Sequence, residues 1–269
     1  MNMRRLGTII CLIGFSLPAF TQIRNIAFPA NPSGSHALQQ HLQQKPLSRQ
    51  LLKNMANKPL LIEPVLQNYD HTRLRRKSVA NLPVTYFKPG VGTILPRQLA
   101  EIEGNAQERA KAVQYYEGLI DLYQEVARKD GFPPNNVAYA FNYYVVNNYQ
   151  IMHDLLSTKM RVSSITPIGG GPRSGKTVSL DQERTLFCQF EEMLSEDPSI
   201  VKMNDTEKQS ITESLAIMTN ECFKLYQYAL ENDDKAILRQ AQDNAYNNLV
   251  QLLGERAVNM RITDRGMEF

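Results

Sequence analysis

The chain has 269 residues, 42% of them hydrophobic, which is enough for one independent core. Its 30 Lys and Arg against 27 Asp and Glu give a net charge of +3, but the charges are unevenly distributed. Residues 22–80 carry nine basic and two acidic side chains, whereas residues 81–269 carry a net charge of −6. This negative balance, without a basic cluster on one helix, argues against nucleic-acid binding by the domain.

The N-terminus has the pattern of a secretory signal peptide. Arg4 and Arg5 precede an apolar run, residues 6–20, that is too short for an ordinary membrane span. We therefore expect residues 1–21 to direct the protein to the periplasm or the medium. No second apolar run is long enough to span a membrane once this signal is removed.

The fate of the signal segment has several alternatives. Ala19 and Thr21 occupy the small-residue positions of a cleavage site before Gln22, and cleavage after Ala19 is a second possibility. An uncleaved segment would act as an anchor. Lipidation at Cys11 is a further alternative, although the isoleucines before Cys11 stand where small residues are wanted.

Residues 22–80 form a basic arm for which we expect no compact fold. Five prolines interrupt any long helix, and the apolar residues make no sustained face. The simplest interpretation is a flexible, solvated linker, because blocks of like charge are usually disordered. Alternatively, the arm contacts anionic lipid, a glycan or the acidic surface of its own domain.

Residues 81–269 predict a single all-α bundle of about five main helices. Apolar side chains recur there at three- and four-residue steps, as on the buried face of a helix. A short strand at 82–87 and a short helix from residue 95 to about 103 precede the bundle. The five main helices are predicted from about 107 to a stop signal at Gly131, and at about 136–156, 180–194, 204–230 and 233–253.

Local signals refine these helices. Asn135 or Asn136 can cap the second main helix, and Asn204 with Glu207 has the spacing of a capping box. The second helix is apolar most of the way round, so we expect it at the centre of the bundle. Residues 261–263 and the tail after them predict a short extended piece.

An irregular, glycine-rich loop at 159–178 contains a sequence that fully matches a known functional motif. Gly170, Gly175, Lys176 and Thr177 stand at the defined positions of a phosphate-binding loop, G-x-x-x-x-G-K-[ST]. In such a loop backbone N–H groups surround the phosphates, the lysine adds a positive charge and the threonine hydroxyl binds Mg²⁺.

The surroundings of this motif argue against nucleotide binding. A working phosphate loop follows a buried parallel strand and opens directly into a helix, whereas Pro167 precedes this motif and the better helix start is Ser179. An exported protein also works where ATP and GTP are scarce. We interpret the segment as an exposed connector and keep nucleotide binding as the alternative function.

Other candidate sites are weaker. His153 next to Asp154 reads as a helix-end pair rather than a catalytic dyad. We predict no metal site and no bound cofactor, because neither the histidines nor the two mature cysteines, Cys188 and Cys222, have metal-ligand spacing. From the heights expected for two helices in a hairpin, the cysteines should not pair, although export would permit a disulfide.

The helices carry ten tyrosines that have two interpretations. With asparagines of the central helix they could line a polar-aromatic groove for a glycan or peptide, or they could be core residues whose hydroxyls find partners. We favour the core. The tyrosines are Tyr115, Tyr116, Tyr123, Tyr139, Tyr143, Tyr144, Tyr149, Tyr226, Tyr228 and Tyr246.

Several stretches of sequence resemble a known family. They are VTYFKPGVGTILPRQLA at 84–100, QERAKAVQYYEGLIDLYQEVARKDGFPPNNVAYAFNYYVVNNYQI at 107–151, and the closing pair of helices. They resemble an uncharacterised family of exported bacterial proteins, a domain of unknown function, over about residues 84–262. The resemblance implies export, an all-helical domain and a tolerated insertion at GGPRSGKT, and it assigns no functional residue.

From these patterns we expect a non-catalytic binding or structural role at the cell envelope. The partner would be an envelope protein, a peptide or a glycan, and we predict no catalytic residue. A third class, a hydrolase of envelope polymers, would need carboxylates that converge in a cleft. The obvious acids, Asp121, Glu125, Glu191 and Glu192, lie on helices where we expect them to face solvent.

Overall fold

The computed structural model describes residues 84–101, 105–156 and 177–269. The predicted signal segment 1–21, the predicted arm 22–80 and residues 157–176 of the irregular loop lie outside the described residues. Those three predictions therefore remain predictions. The described residues fold as a helical bundle with one small sheet near the C-terminus.

Seven α-helices in the described ranges confirm the all-α prediction, and all five predicted main helices are present. The short α5 was not predicted; it forms where Pro198 occupies the first turn and Asp197 caps the helix. In chain order the helices are α1 (Leu95–Ala100), α2 (Ala106–Asp130), α3 (Val137–Met152), α4 (Leu180–Glu196), α5 (Pro198–Lys202), α6 (Asp205–Glu231) and α7 (Lys235–Leu253).

Helix α3 lies at the centre of the bundle, as its apolar circumference predicts. Thirteen of its 16 residues are buried, and it packs against α4, α6 and α7. Aromatic rings fill the space towards its neighbours: Tyr139 stacks on Phe132 with ring centroids 4.7 Å apart, and Phe141 lies 6.0 Å from Phe190 of α4. A helix buried on so many sides must satisfy its polar groups inside the protein.

Side-chain caps set the starts of the long helices. The Asn136 carboxamide accepts hydrogen bonds from the backbone N–H groups of Ala138 and Tyr139, at 2.8 and 3.2 Å. The predicted capping box before α6 is confirmed, because Asn204 and Glu207 each accept a hydrogen bond from the other's backbone N–H.

The strand predicted at 82–87 is not formed in its described part. Tyr86 makes one antiparallel bridge with Asn136, and the Val137 N–H donates to the Thr85 carbonyl over 2.9 Å. Val84 and Thr85 lie in a turn, and the bridge is formed at Tyr86 alone within the described part of the segment. The partner residue, Asn136, is followed directly by α3, which begins at Val137. The bridge therefore cannot extend into a ladder of paired strands.

Two polar side chains join α3 to α2 and α6. The Tyr143 hydroxyl donates to Asn220 Oδ1 over 2.7 Å, and Asn220 Nδ2 donates to the Leu119 carbonyl of α2 over 2.8 Å. All three residues are buried. Asn220 therefore accepts from one helix and donates to another, which fixes the positions of three helices relative to one another.

A second set of polar contacts joins α3 to α7 and to the start of α4. The Tyr144 hydroxyl donates to the Asn248 carbonyl over 2.9 Å, and Asn248 Nδ2 donates to Asn148 Oδ1 over 2.9 Å. Two residues after Asn148, Gln150 Oε1 accepts a hydrogen bond from the Val178 N–H, two residues before α4 begins. Polar side chains of α3 therefore form hydrogen bonds with α6, with α7 and with the residues that lead into α4.

The expectation that Glu191 faces solvent is wrong. Its carboxylate is buried, and Oε1 accepts hydrogen bonds from Asn136 Nδ2 at 3.0 Å and Thr85 Oγ1 at 3.4 Å. Burial raises the pKa of Glu191, and the two donors oppose that shift. Asp121 and Glu125 are exposed, as expected.

Helix α1 is anchored by two polar side chains of α6. The Glu213 carboxylate accepts from the backbone N–H groups of Ile94 and Leu95 at 2.9 and 2.8 Å, which caps α1 with a negative charge. Gln209 Nε2 donates to the Gly92 carbonyl over 2.9 Å. The described chain leaves the helix after residue 100, three residues before the predicted end.

Among the described helices, none combines the length and hydropathy that a membrane span requires.

The buried carboxylate of Glu191 leads to a prediction about pH. A Glu whose pKa is raised by folding favours the folded state at low pH and loses that contribution as pH rises through its folded pKa. We expect the free energy of unfolding of Glu191→Gln, relative to wild type, to increase between pH 4 and pH 8. Urea denaturation at several pH values measures this difference.

Glu192→Gln is the matched control for loss of one carboxylate from α4, since Glu192 is only partly buried. A Glu191→Gln difference that stays constant, or falls, as pH rises would contradict the burial account.

Candidate functional site

A cleft of about 660 Å³ lies between the C-terminal end of α3 and the last twelve residues of the chain. Its volume is within the range of small-molecule sites. Three parts of the chain line it: two rings from the end of α3, the end of a 3₁₀ helix at Gly254–Asn259, and the hairpin that follows this helix.

The wall on the α3 side consists of Tyr149 and His153. They are four residues apart on one face of the helix end, and their ring centroids lie 4.5 Å apart. His153 is the C-cap of α3, as the sequence suggests. Asp154 follows with φ of 56°, and its Oδ1 accepts a hydrogen bond from the Tyr226 hydroxyl of α6 at 2.5 Å. This contact fixes the helix end against α6.

The opposite wall is an antiparallel hairpin of β1 (Arg261–Thr263) and β2 (Gly266–Glu268). It confirms the predicted extended piece. Gln189 of α4 anchors it, because Oε1 accepts from the Met267 N–H at 2.8 Å and Nε2 donates to the Met267 carbonyl at 3.3 Å. A Cβ on Gly266, whose φ is 97°, would lie 2.4 Å from Gln189 Oε1, so this contact requires glycine.

The two charged side chains that line the cleft, Arg261 and Glu268, differ in whether they are paired. Glu268 pairs with Arg265, with Nη2 and Oε1 2.7 Å apart. Arg261 is exposed and makes no ion pair or side-chain hydrogen bond with another described residue. Burial lowers the pKa of His153, so its ring is neutral near pH 7 and adds no charge. Of these two charged side chains, only Glu268 therefore has an ion-pair partner among the described residues.

Sequence reasoning named Tyr149 and His153 but not Arg261, Glu268 or Phe269. The sequence signal that could have identified Arg261 and Glu268 is the alternation of polar and apolar side chains in the terminal segment. In a two-residue period Ile262 and Met267 face the core, so their neighbours Arg261 and Glu268 face the other side.

Three residues of the motif that matches a phosphate loop, Gly170, Gly175 and Lys176, lie outside the described residues. Thr177 is described and precedes the first residue of α4 by three positions. Ser179 caps α4 in a capping box with Gln182, and the first turn carries two acidic residues. A helix start with acidic side chains attracts a phosphate less than an unoccupied one does. Nucleotide binding by this motif remains an alternative without support.

Five of the ten tyrosines are buried in the core, the interpretation that we favour, and three more pack against it while partly exposed. Tyr123, Tyr139, Tyr144 and Tyr226 are essentially fully buried. Their hydroxyls bond within the protein where a partner is near; Tyr123, for example, donates to the Pro134 carbonyl at 3.1 Å. Tyr149 alone of the ten lines the cleft.

The two cysteines of the domain are free thiols. Cys222 lies against α7, with Sγ 3.3 Å from the Ala241 carbonyl, and burial raises its pKa to about 12. Burial likewise raises the pKa of Cys188 to about 11. Both are therefore protonated at neutral pH and poor nucleophiles.

Metal-binding side chains do not gather in the part of the chain that the structure describes: no group of three or more His, Cys, Asp or Glu there could hold an ion. The remaining histidines lie outside it; they are His36, His41 and His71.

The sequence model of one family matches residues 3–162 and 174–269, which is most of the chain. The chain belongs to the family of unknown function DUF6683. This confirms the resemblance to a domain of unknown function and extends it towards both ends. No curated protein and no solved structure matches the chain.

The two matched ranges leave out residues 163–173, within the irregular loop. Gly170 falls in this gap, whereas Gly175, Lys176 and Thr177 fall inside the matched part. The cleft residues at 149–153 and 258–269 are all inside it.

Proposed function

We propose that this DUF6683 protein is exported and binds a peptide or glycan segment at the cell envelope, without catalysing its reaction. The observation that carries the proposal is the cleft. It has the volume of a small-ligand site, exposed apolar and aromatic walls, and one arginine without a partner in the described residues. Ligand sites typically combine such walls with a few polar groups.

The proposal of export rests on the N-terminal segment. Two arginines followed by a short apolar run are the pattern of a secretory signal. The match to the family begins at residue 3 and so includes this segment, which supports treating the leader as part of the family's pattern.

The side chains of the cleft favour binding over catalysis. Nucleophilic catalysis needs a base within hydrogen-bonding distance of a hydroxyl or thiol. Within the described residues, the His153 ring contacts Tyr149 edge-on and has no such hydroxyl or thiol partner. Glu268 is held by Arg265.

The cleft's ligand binding is testable with two neutral probes, an N-acetylglucosamine trisaccharide and the amidated tripeptide N-acetyl-Ala-Ala-Phe-NH₂. We expect at least one to shift the backbone NMR signals of residues 258–269 in the mature protein. Tyr149→Ala should weaken that binding about tenfold, because it removes an aromatic wall. Tyr246→Ala, on an exposed tyrosine of α7 outside the cleft, should leave it unchanged.

Titration of the same mature protein with nucleotides tests the alternative function, nucleotide binding by the motif at 170–177. We expect MgATP and MgGTP to give no saturable shifts in wild type or in Lys176→Ala. Saturable nucleotide binding that Lys176→Ala abolishes, together with silence towards both neutral probes, would favour the phosphate loop instead.

Export is testable by cell fractionation with an antibody against the domain. We expect wild type outside the cytoplasm and about 2 kDa smaller than the full chain, because the signal is removed. Ile13→Arg breaks the apolar run and should leave the full-length chain in the cytoplasm. Gln43→Arg adds the same charge to the arm and should be exported. If the wild-type protein is found in the cytoplasm at full length, the predicted export is ruled out.

A further inference from the structure

We infer that the cleft recognises a carboxylate attached to an apolar group, as at the C-terminus of a peptide, and that Arg261 binds this carboxylate. The inference rests on the proposed ligand-binding function and specifies the class of ligand. It depends on three properties of the cleft: a cationic side chain without a partner among the described residues, an anionic side chain that is already paired, and exposed apolar walls.

Arg261 is positioned to bind an anion. It begins β1, lines the cleft and is exposed, and no other described residue forms an ion pair or side-chain hydrogen bond with it. A guanidinium presents parallel N–H groups that match the two oxygens of a carboxylate. Its orientation follows from the pairing of β1 with β2, which Gln189 holds against α4.

Glu268 determines which anion fits. Its Cα lies opposite that of Arg261 in the hairpin, but its carboxylate pairs with Arg265. Because Glu268 pairs with Arg265, it does not pair with Arg261, and its carboxylate remains beside the ligand. A phosphate dianion would meet more repulsion from this carboxylate than a singly charged carboxylate would. A cationic ligand would be repelled by Arg261.

The remaining walls are suited to an apolar group next to the anion. Val258 is 58% exposed and Phe269 is 43% exposed, and both line the cleft with the Tyr149 and His153 rings. Covering such side chains removes apolar surface from water, which favours binding. Since the His153 ring is neutral at pH 7, it can contact an apolar group without loss of a charged group's hydration.

The experiment compares two forms of one peptide, N-acetyl-Ala-Ala-Phe with a free carboxylate and the same peptide as an amide. We expect the acid to bind the mature protein about tenfold more tightly, measured by NMR titration at constant ionic strength. Arg261→Gln should remove this preference, so that the acid and the amide bind with equal affinity. Arg239→Gln, on an exposed arginine of α7, should keep the preference.

Inorganic phosphate is the probe for a general anion site, and binding as tight as that of the acid would overturn the preference for carboxylate. Equal binding of acid and amide in the cleft would refute the role of Arg261 but leave the proposed binding function intact. A preference that survives Arg261→Gln would also refute it. If the acid, the amide and the trisaccharide all fail to shift the cleft signals, the binding function itself is contradicted.

Discussion

The architecture depends on the need of α3 to satisfy polar side chains while almost its whole circumference is buried. An unpaired polar group in a protein interior costs about 1–3 kcal/mol, so a polar side chain of α3 whose partner lies on a neighbouring element constrains the position of that element. Tyr143 needs Asn220 of α6, and Tyr144 and Asn148 need Asn248 of α7. These contacts specify rotation and height where apolar packing alone would tolerate sliding. Asn142 is an exception, because neither of its side-chain amide atoms has a hydrogen-bond partner in the described residues.

The same constraint explains where the cleft lies. Polar pairing holds α3 as far as its last turn, where the bond between Tyr226 and Asp154 fixes the helix end against α6. Next to that bond, the rings of Tyr149 and His153 line the cleft together with residues of the terminal hairpin. The hairpin is held to α4 through Gln189, so both walls of the cleft are anchored to the same core. A site built this way is preformed, which lowers the entropy that a ligand loses on binding.

Much of the fold could be predicted from the sequence because its signals are local. Apolar side chains at three- and four-residue steps predict the long helices. The spacing of Asn204 and Glu207 predicts the first residue of α6. The errors concern long-range partners. Glu191 looked like a surface acid because its burial depends on Thr85 and Asn136, both more than fifty residues away in sequence. Arg261 belongs to the cleft only because a three-residue strand folds back beside α3. By contrast, the one complete motif, at 170–177, has no support from the described surroundings.

A double-mutant cycle at Tyr143 and Asn220 tests most directly whether polar pairing of the buried helix holds the bundle together. Tyr143→Phe should lower the free energy of unfolding by about 1–3 kcal/mol in wild type, because it leaves Asn220 Oδ1 unpaired. In an Asn220→Ala background the same change should lower it far less. Tyr228→Phe, at a tyrosine that is 38% exposed, is the control and should have little effect. An equal loss for Tyr143→Phe in both backgrounds would show that apolar packing, not polar pairing, positions α3.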